Sequence, residues 1–208
     1  RTSQREPKKK RVIMAESEEL NGDYNPGEKL DMNTIMEMDA EDESLQKYKA
    51  ALLGAAGDTY APSDDPRRVV IQSMTILFES RPGGDIVYKL NSKEELATMK
   101  STPFVLKEGC AYKIRVNFKV QHEIVSGLKY VNQVYRKGLR VIKEDEMLGS
   151  FAPQAGAHEV TFPKQGWEEA PKGALARGKY NAKSKFIDDD KQSHMEYEYC
   201  FQIKKGWE

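Results

Sequence analysis

The chain has 208 residues, and 33 Lys+Arg balance 33 Asp+Glu, so its formal net charge is zero. Neutrality excludes a protein built wholly for nucleic acid, which would be basic, and no apolar run approaches the roughly 18 residues of a membrane span. Hydrophobic residues make up 38% and charged residues 32%, a balance that predicts a globular core diluted by a polar, partly disordered stretch.

Residues 1–13 hold six basic side chains against Glu6, a net of +5. The cluster PKKKRV suits a nuclear-import or nucleic-acid patch, and equally a solvated tail or a non-native extension. Met14 opens MAESEEL, which reads as a cytosolic start, and the apolar stretch of a signal peptide is missing from the basic head. Residues 14–50 carry eleven acids and three lysines, a net of −8. Their first half has too little apolar surface to offset ordering entropy, so disorder is expected there. Thr34 followed by Glu37 then fits a capping box and predicts a helix start. A second helix is predicted from about Asp42 to Leu53. Asp42 and Ser44 suit its N-terminus, Leu45, Tyr48, Leu52 and Leu53 fall at helical spacing, and Gly54 is a plausible stop. This helix-loop-helix, at about 34–53, has no core of its own and must dock on the body or on a partner. Residues 55–66 read as a linker that completes an acidic arm spanning 14–66.

The body is expected over 67–208. YKIRVNFKV places Tyr112, Ile114, Val116, Phe118 and Val120 on one face, and MEYEYCFQI does the same with Met195, Tyr197, Tyr199, Phe201 and Ile203. A two-residue period over nine positions predicts half-buried antiparallel strands. Weaker patterns predict further strands at 68–79, 86–90, 103–106, 129–137, 157–162 and 178–187, separated by turn signals such as RPGGD, KEG, KG and DDDK. The fold class is therefore all-β: an immunoglobulin-like β-sandwich without that family's disulfide or buried Trp.

No enzyme chemistry is legible. His122, His158 and His194 show no metal-ligand spacing, and no nucleophile elbow, phosphate loop or dinucleotide fingerprint occurs. Asp188, Asp189 and Asp190 read as a solvated hairpin tip rather than a cation site. Only Cys110 and Cys200 occur, and Cys200 lies opposite the apolar face of its strand. Two cysteines without a disulfide framework suggest a reducing, cytoplasmic setting. No cofactor and no metal are expected.

Long ungapped segments resemble the Rho GDP-dissociation inhibitors. They are DESLQKYKAALLG (42–54), FVLKEG (104–109), HEIVSGLKY (122–130), YRKG (135–138), EEAPKGALARGKY (168–180), DDDK (188–191) and IKKGW (203–207). They run in the family's order from about residue 30 to the end, and residues 1–13 have no counterpart among them. The resemblance implies a non-enzymatic partner of prenylated Rho- and Rac-type small GTPases in the GDP state. It implies a one-to-one complex that slows GDP release and removes the GTPase from membranes by burying its isoprenoid lipid, without stable membrane insertion.

The resemblance assigns Asp42, Ser44, Leu45, Tyr48, Leu52 and Leu53 to the GTPase switch regions, although capping and docking on the protein's own body would use the same residues. It assigns the prenyl pocket to Ile76, Phe104, Ile124, Leu175, Ala182, Tyr197 and Tyr199, which by pattern alone are sandwich core. It assigns a basic tail beside the lipid to Glu168, Glu169, Asp188, Asp189 and Asp190. Tyr197 and Tyr199 stand where the family is expected to have tryptophans, Ala182 replaces a larger aliphatic, and Ile142 replaces an acid. Other readings are a prenyl- or acyl-binding sandwich chaperone without control of nucleotide release, and a structural immunoglobulin-like module.

Overall fold

The computed structural model describes residues 61–208. The basic head and the arm's expected helices lie outside the described residues. Within them run ten strands and one helix: β1 (Val69–Phe78), β2 (Ile86–Lys89), α1 (Lys93–Ser101), β3 (Phe104–Lys107), β4 (Ala111–Val120), β5 (Val125–Arg136), β6 (Leu139–Phe151), β7 (His158–Phe162), β8 (Glu168–Glu169), β9 (Gly178–Ile187) and β10 (Ser193–Lys204).

Two sheets face each other. One has the order β2-β1-β4-β7, with β8 also paired to β4; the other has the order β3-β10-β9-β5-β6. Strand β3 runs parallel to β10, and the other pairings are antiparallel. The two-residue period turns one side of each strand inward. Val116, Phe118 and Val120 of β4 are fully buried, as are Val125 and Leu128 of β5 and Phe186 of β9. Each such side chain contributes roughly 1.5–3 kcal/mol of burial, and together they form one continuous core between the sheets.

Four elements depart from the sequence reading, the first being the unexpected two-residue strand β8. Strand β5 begins at Val125, not Lys129. Strand β6, thirteen residues long, was not expected at all. It is an edge strand, Leu148 is its one buried residue, and a charged Glu144 on the cavity side with exposed Leu139, Val141 and Met147 hides the alternation, while the backbone still pairs along β5 from Phe151 to Leu139. Helix α1 was also missed, although Ser92 and Glu95 form a start signal: the Ser92 hydroxyl accepts from the Glu95 amide at 3.2 Å. This helix packs on β10, and Lys100 Nζ reaches Glu198 Oε2 at 2.7 Å. A strand covered on both faces buries both parities, so Cys200 is only 8% exposed despite lying opposite the apolar face.

The sandwich has two unlike ends. At one, the chain entering β1 meets the β9–β10 turn through charged side chains. At the other, the inner faces of β1, β4, β5 and β10 separate and leave a cavity.

Candidate functional site

The cavity has a volume of about 60 Å³ and opens between the sheets. Its walls are Met74 and Ile76 from β1, Phe104 and Leu106 from β3, Ile114 from β4, Val134 from β5, Tyr180 from β9, and Tyr199, Phe201 and Ile203 from β10. These residues come from both sheets, which is what an apolar guest between sheets requires. Phe104 stacks on Tyr199 at 6.2 Å and on Phe201 at 5.7 Å, so β3 closes one side with a ring against two rings.

The floor is polar but satisfied. Tyr199 donates to Asn132 Oδ1 at 3.2 Å, Ser184 donates to the same oxygen at 3.0 Å, and Tyr130 and Ser184 hydroxyls meet at 2.9 Å. Tyr197 donates to Met74 Sδ at 3.1 Å. The two tyrosines in place of tryptophans therefore do not strand their hydroxyls, which would cost roughly 1–3 kcal/mol each. Burial pushes the phenols of Tyr130, Tyr197 and Tyr199 well above their ordinary range, so they stay neutral donors.

One carboxylate stands on the wall. Glu144 of β6 is exposed as a residue, yet it lines the cavity and its Oε2 lies 3.5 Å from Asn132 Nδ2. Partial burial raises its pKa; Asn132 opposes that rise and the charge of Glu168 adds to it. Tyr112, also on the wall, has its phenol raised first by burial and then by the charges of Glu144 and Glu168. Sequence reasoning missed Glu144 because β6 itself was missed. Ile142, noted as a replaced acid, turns out to line the cavity.

The predicted pocket residues divide. Ile76, Phe104 and Tyr199 line the cavity. Ala182 and Tyr197 are buried in the core behind it. Ile124 is half-buried in the β4–β5 loop and outside the cavity walls. Leu175 is 89% exposed, in the loop between β8 and β9, and is not among the cavity's lining residues.

The predicted acids divide as well. Glu168 and Glu169 are exposed on β8, beside the cavity end of β4, and Glu169 pairs with Lys172 at 2.5 Å. Asp188 is not a solvated tip: its side chain is 1% exposed, it binds Arg68 Nη2, and its Oδ2 lies 2.8 Å from His194 Nε2. Its Oδ1 accepts the Gln192 amide at 2.9 Å. Asp190 adds a 3.3 Å contact to Arg68. Asp188 also lies eight residues along β9 from Tyr180, roughly 26 Å at strand rise. The two acidic groups therefore occupy opposite ends of the sandwich. Asp189 packs against Gly127, where a Cβ would come within 2.0 Å of its carboxylate.

Among the described residues no cluster of three or more His, Cys, Asp or Glu could hold a metal, and no helix is long and apolar enough to cross a membrane. Burial raises both free thiols, Cys110 and Cys200.

An all-β sandwich with an apolar cavity between its sheets defines a binding module. The sequence pattern of the family described as RHO protein GDP dissociation inhibitor matches residues 9–206, further toward the N-terminus than the motifs alone reached. A Dictyostelium discoideum protein provisionally named rho GDP-dissociation inhibitor 1 is 54% identical over 88% of this chain and 91% of its own. The Homo sapiens Rho GDP-dissociation inhibitor 1 is 44% identical over 92% and 90%, and the Schizosaccharomyces pombe Rho GDP-dissociation inhibitor is 44% identical over 87% and 85%. Among solved structures, a Niemann-Pick type C2 protein from Japanese carpenter ant aligns with a TM-score of 0.41 at 10% identity, over 65% of this chain and 93% of that one, a likeness too slight to bear on function. The chain belongs to the Rho GDP-dissociation inhibitor family, whose members regulate by binding and are not enzymes.

Proposed function

We propose that this protein holds a prenylated Rho-type GTPase in its GDP state as a one-to-one complex in the cytoplasm. The observation that carries the reading is the cavity: an apolar space walled by both sheets, in a chain of this family. A twenty-carbon prenyl chain gains roughly 0.8 kcal/mol per buried CH₂, on the order of 10 kcal/mol or more. Only an equally dry site competes with a bilayer for it.

The cavity volume of about 60 Å³ is room for only a few waters, at ~10–15 Å³ of such space each, and not for a twenty-carbon chain. Lipid entry therefore has to spread the sheets at the cavity end, with Ile76, Phe104 and Tyr199 making way and Ala182 and Tyr197 exposed behind them. Phe104 sits on β3, the short strand at the edge of its sheet, and is the natural first mover. The charged cluster around Asp188 holds the far end together meanwhile.

The arm residues Asp42, Ser44, Leu45, Tyr48, Leu52 and Leu53 supply the second contact in this reading. They clamp the nucleotide-dependent switch segments of the GTPase, so GDP release slows without any bond being made. Glu168 and Glu169 at the cavity end steer a basic tail beside the lipid; exposed pairs contribute little affinity individually.

The test is binding of a fluorescent geranylgeranylated cysteine peptide. Phe104→Asp is expected to weaken it at least about tenfold, while Leu52→Asp leaves peptide binding unchanged and abolishes the slowing of GDP release. Equal peptide binding by wild type and Phe104→Asp contradicts the reading.

A further inference from the structure

We propose that the tips beside the cavity mouth form a contact face for an anionic lipid leaflet. The proposal rests on the reading that the cavity takes a prenyl chain out of a bilayer, and it adds the surface that reaches the bilayer. Two segments build the face: residues 136–141, RKGLRV, at the β5–β6 turn, and residues 171–177, PKGALAR, between β8 and β9. Together they hold five basic residues and no acid.

Arg136 fastens the two segments together. Its guanidinium donates to the Leu175 carbonyl, and to the Arg177 carbonyl at 2.6 Å. It also lies 5.2 Å from the centre of the Tyr180 ring. Tyr180 and Pro171 line the cavity, so the face borders the mouth.

The apolar side chains of these tips point to solvent. Leu175 is 89% exposed, Leu139 73% and Val141 50%. Side chains this exposed gain nothing from the core. Lys137 and Gly138 both have positive φ, 50° and 82°, the signature of a tight two-residue hairpin turn that presents Leu139 at its end. Lys172 and Arg177 pair with Glu169 and Glu108, whereas Lys137 and Arg140 have no ion-pair partner among the described residues. Protruding leucines with two unpaired cations, Lys137 and Arg140, beside Leu139 suit the boundary between phosphate headgroups and acyl chains. An acidic protein would satisfy the charges and leave the leucine tips without a pocket. Seated on a leaflet, the face brings the cavity mouth to where a prenyl chain is anchored, so that the chain passes into the cavity without crossing water.

The test is co-sedimentation of the full chain, without any GTPase, with phosphatidylcholine vesicles and with vesicles containing about 30% phosphatidylserine. Each basic residue near an anionic leaflet is worth about fivefold in partitioning. The full chain is expected to bind only the anionic vesicles, and to lose that binding at high salt. Lys137→Asn with Arg140→Glu is expected to lower partitioning at least about tenfold, Asn being tolerant of the left-handed turn. Leu139→Ser is expected to lower it about threefold. Unchanged unfolding midpoints and unchanged affinity for the soluble geranylgeranylated peptide show that these variants keep the fold and the cavity. No binding by the intact chain, equal binding to both vesicles, or wild-type binding by the double variant overturns the proposal. Vesicle binding without peptide binding supports the contact face and overturns the prenyl reading instead.

Discussion

Arg68 and Asp188 join the two sheets at the end of the sandwich farthest from the cavity. Their side chains are 10% and 1% exposed, and His194, Gln192 and Asp190 complete the cluster around them. A buried pair need not stabilise a fold more than apolar residues would, but removing one partner leaves a charge uncompensated. Asp188→Ala is expected to cost about 3–5 kcal/mol in urea unfolding. Arg68→Met with Asp188→Leu should recover a large part of that loss. A cost below about 1 kcal/mol for Asp188→Ala contradicts a structural role for the pair.

His194 makes the same end sensitive to acid. Burial lowers its pKa from the ordinary 6.5, against the pull of Asp188 in the other direction. The unfolded chain therefore takes up the proton more readily than the folded one. Stability is full above pH 6.5 and falls as pH drops through and below that value. A lower urea midpoint at pH 5.5 than at pH 7.5 is expected, and His194→Gln should flatten the difference.

The tyrosine floor predicts unequal costs. In Tyr199→Phe, Asn132 Oδ1 keeps the Ser184 hydroxyl, so the loss is about 1 kcal/mol. Asn132→Leu removes the acceptor of both Tyr199 and Ser184 and should cost about 2–3 kcal/mol. Comparable unfolding midpoints for the two variants would contradict this network.

If the cavity takes a prenyl chain as proposed, Glu144 gives that uptake a pH dependence. Its pKa is already raised by partial burial, and an apolar guest would bury it further, so uptake takes up a proton. Affinity for an uncharged geranylgeranylated peptide is expected to rise as pH falls through the range just above ordinary carboxylate values. The gain is roughly threefold because the residue is exposed, and Glu144→Gln should show none. The groups facing Glu144 are Asn132, Tyr112 and Glu168, and Glu168→Gln should reduce the effect without removing it.

Gly127 shows how closely the loops are set. Its φ is +58° and a Cβ would lie 2.0–2.2 Å from the Asp189 carboxylate. Gly127→Ala is expected to cost about 2 kcal/mol. Adding Asp189→Ala should return only part of it, because the backbone conformation remains strained.

The sandwich was legible wherever one face of a strand is wet. Strands β4 and β10 alternate because helix, loop or water on one side and core on the other impose the period. Strand β6 was not legible because its edge position leaves Leu148 alone buried, and charge dominates its letters. Glu144 was hidden with it. Motif resemblance placed Ile76, Phe104 and Tyr199, which do line the cavity, but gave no sign that Leu175 points outward or that Asp188 is buried. Those two outcomes go with contacts between residues distant in sequence, Arg136 with the Leu175 carbonyl and Arg68 with Asp188, 39 and 120 positions apart.

The most direct measurement is sedimentation of a geranylgeranylated, GDP-loaded Rho GTPase with liposomes while this protein is titrated in, with nucleotide release followed in parallel. The account predicts that the GTPase moves to the supernatant at about one equivalent and that GDP release slows, while the unprenylated GTPase shows no lipid-dependent shift. A GTPase that stays on the liposomes at saturating protein would contradict it.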